Sequence, residues 1–95
     1  MRMDDIAAIK ARLLRAGYTK VNQGQDPPHA VFPDHDHPGD VLFFVLGGSL
    51  EVTMKGEVRV LQIGDEIIFP AKVVHSAKAG SEGCTWIDGE RLVAQ

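Results

Sequence analysis

His35 and His37 stand two residues apart, with Asp36 between them, just ahead of the most apolar run in the chain, "VLFFVL" at 41–46. In an extended segment, residues two apart project to the same face, so the two imidazoles point at one place while Asp36 points away. That is the geometry of a chelating pair, and neutral imidazole is the commonest protein ligand for Zn, Fe, Ni, Cu and Mn. A third ligand is available in His75, which follows the apolar run "EIIFPAKVV" at 66–74. His35, His37 and His75 are therefore candidate metal ligands; the alternative is a metal-free trio that hydrogen-bonds within itself or to water. His29 has the parity of His35, but Pro33 interrupts a strand between them, so His29 reads as a surface-loop residue.

Other side chains admit a chemical and a plain reading. Phe43, Val45 and Phe69 wall an apolar substrate pocket or simply fill a core. Trp86 has the same two readings and an interface role besides. Cys84 is a thiol near the histidines or an inert buried cysteine. Lys72 greets an anionic substrate or is a solvated turn lysine. Of the acids, Asp34, Asp36 and Asp40 flank the histidine pair, and only Asp40 has a route inward, through a bulge after "HPG".

The elements that must position these residues follow from periodicity. Ile6, Ile9, Leu13 and Ala16 recur at helical spacing with Lys10, Arg12 and Arg15 off the stripe, which predicts one short N-terminal helix over about 4–16. Asp4 or Asp5 caps its first turn, and Gly17 suits the left-handed position after its end. Beyond Gly17 the period becomes two, with about eight short strands punctuated by Gly, Pro, Asp and Asn, from "YTKV" to "CTWID". This predicts an all-β barrel or sandwich over about 18–95. "GGS" at 47–49, "KGE" at 55–57 and "GDE" at 64–66 read as reversals, Pro70 ends a strand, and "QGQDPPH" at 23–29 reads as a loop. The turn around Lys72 is expected to be built unlike a glycine turn.

Length and composition set the limits. The 95 residues suit one domain over 1–95, and 44% apolar with 24% charged residues is ordinary globular usage. No apolar run approaches the roughly 20 residues of a membrane span. The start "MRMDDIAAIKARLLRAG" lacks the apolar region of a secretory signal, and the single cysteine suits a reducing compartment, so the expected location is cytoplasmic. A net charge of −3 without a basic block argues against nucleic acid as a partner.

"HDHPGDVLFFVLGG" and "GDEIIFPAKVVH" resemble, in order and spacing, the two motifs of the cupin superfamily. Gly48 closes the first motif, Gly64 and Pro70 open the second, and His75 stands five residues after Pro70. The resemblance covers roughly residues 30–88 and is closest to the short bacterial cupins of undefined function. It implies a small β-barrel of the jelly-roll, or double-stranded β-helix, type with a divalent transition metal (Fe, Mn, Ni, Zn or Cu) at one end. It also implies a homodimer that pairs through edge strands. Two positions depart from the motifs. The metal-binding glutamate is replaced by Val41, and the second motif's glycine is Lys72.

Three neutral histidines leave a bound dication its full charge and at least one open position, which makes a strong Lewis acid. The resemblance extends to cupin thiol dioxygenases, which also use three histidines but hold an arginine and a tyrosine against substrate. Tyr18 and Arg59 make no such pair here. Two functions follow: a metal-dependent enzyme of dioxygenase or isomerase type acting on a small molecule, or a non-catalytic module that binds a metal or small ligand for sensing. No catalytic residue is assigned from the sequence.

Overall fold

The computed structural model of the chain describes residues 3–92. An α-helix, α1 (Met3–Arg15), precedes six strands: β1 (Lys20–Asp26), β2 (Val31–His35), β3 (Asp40–Met54), β4 (Glu57–Gln62), β5 (Glu66–Phe69) and β6 (His75–Arg91). The predicted helix is present, ending one residue early. Asp4 lies in its first turn, but the cap assigned to it concerns a side chain outside the described residues, as do barrel positions 93–95. The helix end is as the sequence implies. Gly17 adopts φ +91°, Tyr18 N–H donates to Leu13 O (3.0 Å) and Gly17 N–H to Leu14 O (3.1 Å), which closes the last turn.

The strands are fewer and longer than the sequence suggested. "GGS" is not a reversal, because β3 runs unbroken through it, with register shifts between Val45 and Gly47 and between Gly48 and Leu50. Likewise residues 75–77 of "VVHSA" and all of "CTWID" are parts of one strand, β6, and most of the supposed loop at 23–29 belongs to β1. The cause is bending. The first half of β3 pairs with β5 and with the second half of β6, which also carries β1. The second half of β3 pairs with β4 and with the first half of β6, which also carries β2. Two long antiparallel strands thus fold over together and belong to both faces of a jelly roll.

Glycine makes that fold-over possible. Gly48 has φ +69°, and a Cβ there would lie 2.0 Å from the carbonyl oxygen of Gly83 on the partner strand, itself at φ +77°. By contrast, "KGE" and "GDE" do reverse the chain as expected, with Gly56 at φ +77° and Gly64 at φ +90°.

Both sides of the sheet are used. Inward, Val41, Val45, Leu50, Val52, Leu61, Ile67, Phe69, Ala79 and Cys84 form the core between the faces. Outward, Leu42, Leu46 and Ile87 pack under Leu13 of the helix and Tyr18 just beyond it. The first half of β3 is therefore buried on both faces, which is why it reads as an uninterrupted apolar run and not as an alternation. No helix among the described residues is long and apolar enough to cross a membrane.

Replacing Gly48 with alanine should destabilise the protein by roughly 2 kcal/mol or more, since it adds left-handed strain to a clash with main chain. Chemical denaturation of the two proteins side by side checks this, and equal midpoints would refute the role given to the bend.

Candidate metal centre

Register brings the first two histidines together. His35 at the end of β2 lies directly opposite His75 at the start of β6, so both project from neighbouring antiparallel strands to one side. His37 is not in a strand; it stands in the connection to β3, whose path is fixed by Lys72 N–H donating to His37 O (2.8 Å). One potential ligand atom from each of His35, His37 and His75 lies within 4.8 Å of the others. Ring centroids are 4.3 Å apart for His35 and His75 and 5.1 Å for each pair with His37. The three histidines singled out in the sequence therefore converge in space, although alternation along one strand is not what aims His37.

The hydrogen bonds select the ligand atoms. Nδ1 of His35 lies 2.8 Å from Pro33 O, and Nδ1 of His75 lies 3.1 Å from Val73 O. A carbonyl oxygen only accepts, so each Nδ1 carries the proton and each Nε2 keeps its lone pair. Such a bond is the usual device that orients a metal-ligating histidine. His75 is 3% exposed and stacks on Phe69 at 3.9 Å, which leaves its ring little freedom. Burial, followed by the like charge of His35, pushes His37 below the ordinary imidazole value. For His75 burial again dominates, against the opposing hydrogen bond to Val73, with further lowering from the other two rings. Both effects favour the neutral, ligating form at neutral pH, and this donor set fits a divalent transition metal.

The trio opens into a cavity of about 170 Å³ between the two faces. Phe32, Phe43, Phe69 and Trp86 give it aromatic walls, and two carboxylates, Asp26 and Asp88, line it as well. The pocket reading of Phe43 and Phe69 thus holds, while Val45 is plain core. Trp86 Nε1–H donates to Asp26 Oδ2 at 2.8 Å, and Gly24 leaves room for the indole, since a Cβ there would lie 2.5 Å from the ring. Asp88 is pushed up to about 6, chiefly by burial and also by the nearby charge of Glu90, with a hydrogen bond from Asn22 working the other way. A wider hollow of about 440 Å³, lined by β3, β4 and β5, contains no histidine or cysteine among its lining residues.

The remaining candidates fall outside the chemistry. Asp40 does not turn in: its Oδ1 accepts from Ala71 N–H (2.9 Å) and its Oδ2 faces Arg91 (3.4 Å), while Val41 faces the barrel. His29 is exposed at φ +62° in a loop. Cys84 is buried, and burial pushes its thiol up to about 11, so it is inert. Lys72 is exposed, yet the turn is not rebuilt as expected: Lys72 itself adopts φ +63°, the left-handed conformation that the motif's glycine would supply.

Comparison with known proteins agrees with this architecture. The family model for the cupin domain matches residues 24–93, so the chain belongs to the cupin superfamily. Among solved structures it is similar to KdgF from Halomonas sp., with 32% identity and a TM-score of 0.62 over 67% of this chain and 60% of that one. A cupin-like protein from Thermotoga maritima shows 28% identity and a TM-score of 0.70, over 77% of this chain and 56% of that one. The DMSP lyase DddQ from Ruegeria pomeroyi shows 25% identity and a TM-score of 0.69, over 75% of this chain and 36% of the lyase. The chain thus spans less than two thirds of each of these proteins. No curated protein matches the sequence.

The raised value of Asp88 carries a sign. A carboxyl that titrates near 6 in the fold and near 3.8 when unfolded costs stability at neutral pH, and that cost disappears as pH falls through this window. In metal-stripped protein, Asp88→Asn should raise stability by about 1 kcal/mol at pH 7.5, allowing for solvent screening, and by nothing measurable near pH 4. Thermal melts at the two pH values test it; no gain at pH 7.5 would show that Asp88 is ordinarily solvated, and an equal gain at both values that its ionisation is not the cause.

Proposed function

We propose that this chain is a metal-dependent enzyme of isomerase type, holding one divalent transition metal on His35, His37 and His75 and acting on a small molecule in the adjoining cavity. The observation that carries the reading is the meeting of the histidine trio and an acid–base carboxyl, Asp88, in one cavity. A metal held there would supply Lewis acidity toward an oxygen of the substrate.

The protein's own groups fill the other roles. Asp88 lines the cavity beside the trio, where burial raises it to about 6 in the metal-free protein, and it is placed to take a proton from carbon or oxygen and to return it, as proton-shifting chemistry requires. The bond from Trp86 holds Asp26 on the cavity wall, oriented toward substrate hydroxyl groups. Phe32, Phe43 and Phe69 exclude water from the carbon skeleton. The cavity of about 170 Å³ limits the substrate to a small compound. The similarity to a lyase, DddQ, is in keeping with a catalytic use of such a barrel.

Acid–base chemistry is favoured over the dioxygenase reading for a specific reason. Tyr18 is buried against the helix and Arg59 is exposed on β4, where its guanidinium donates to Glu66 O at 3.3 Å. Neither residue lines the cavity.

Elemental analysis of untagged protein should give about one equivalent of a single transition metal, and none when the three histidines are replaced by alanine. Loaded protein should then incorporate solvent deuterium into a member of a panel of small carbonyl compounds, followed by NMR. Asp88→Asn should slow this by about 100-fold or more while retaining the metal. Full metal retention with no turnover across the panel would transfer the protein to the class of non-catalytic metal-binding modules.

A further inference from the structure

The cupin motif's missing carboxylate poses a physical problem that the fold itself addresses. A dication on three neutral imidazoles in a half-buried site keeps its whole charge, and desolvated charge is costly without a compensating partner. Val41 occupies the motif position and carries none. Asp40 is committed to Ala71 N–H and Arg91. Asp36 acts on His37 and His75 but is exposed to water, which screens it.

Directly across from Val41, on β6, stands Glu90. Paired residues on adjacent antiparallel strands present their side chains to the same face about 5 Å apart, so Glu90 occupies the side of the sheet from which the motif carboxylate would project. It is half-buried, and its Oε2 accepts from Gly39 N–H at 3.1 Å, in the loop that carries His37. It is near enough to act electrostatically on His37 on one side of the site and on Asp88 on the other. Among the described residues it is not part of the cluster of mutually close ligand atoms, which is the histidine trio alone.

We infer that Glu90 replaces the lost motif carboxylate from the neighbouring strand, as a positioning residue that holds the His37 loop and supplies the negative charge the three-histidine centre needs. The inference rests on the metal-binding reading above. It makes the charge and not the hydrogen bond the decisive property, because a glutamine at position 90 still offers an oxygen to Gly39 N–H.

Zinc binding measured by competition with a chromophoric chelator at pH 7.5 tests it without any substrate. Glu90→Gln should raise the Kd for Zn²⁺ about tenfold or more, with the melting temperature of the metal-free protein essentially unchanged. Glu51→Gln, an identical charge change at an exposed site on β3, should leave the Kd as in wild type. Adding Val41→Glu to Glu90→Gln should recover most of the lost affinity; if that double variant does not fold, the two single variants decide. A Glu90→Gln Kd within twofold of wild type, an equal loss in Glu51→Gln, or a folded double variant without recovery each overturns the inference. Wild-type protein that binds no zinc overturns the metal reading itself, a separate outcome.

Discussion

The register between β2 and the first half of β6 is the constraint on which the site depends. Because His35 pairs directly with His75, two imidazoles that are 40 residues apart in sequence face the same interior space without any further adjustment. That register needs β6 to serve both faces of the jelly roll, and β6 can do so only where Gly83 and Gly48 let two main chains cross closely. A side chain at the bend would move the site as well as the fold. His37 is then added from a loop tied to the β5–β6 connection through Lys72, so three separate segments hold one set of donors.

The electrostatics of the cavity follow from what surrounds those donors. Burial of His37 and His75 lowers both below the ordinary imidazole value and so favours their neutral forms. The same burial has the opposite consequence for an acid, raising Asp88. One cavity thus holds imidazoles that burial keeps in the ligating form and, in the metal-free protein, a carboxyl that burial raises to about 6. Glu90, half-buried at the edge of this space, reinforces the second effect and moderates the first.

Much of this was legible in the residue string, and what was not shares a cause. The helix, its glycine-dependent end, the two tight turns at Gly56 and Gly64 and the histidine trio are local patterns or motif spacings, and they are found as expected. The continuity of β3 through Gly47 and Gly48 was misread as a turn because glycine marks a bend and a reversal with the same letter. Asp26, Asp88 and Glu90 were overlooked because only the pairing of β1 and β6 with their neighbours shows which acids face inward, and that pairing is non-local. The signal was present in part: Trp86, Asp88 and Glu90 alternate along one strand, a pattern that would have placed the two acids on the face of a half-buried aromatic. Lys72 was misjudged for a different reason. A left-handed turn accepts lysine at a modest energetic cost, so loss of the glycine did not mean loss of the turn.

On the proposed reading one ion sits on His35, His37 and His75, through Nε2 at His35 and His75. Anomalous diffraction from zinc-loaded crystals tests this most directly. The expected result is a single zinc peak about 2.0–2.1 Å from a nitrogen of each of the three rings, with Nδ1 of His35 and His75 still bonded to Pro33 O and Val73 O. A peak that omits one of the three histidines, or one held by Asp40, would contradict it.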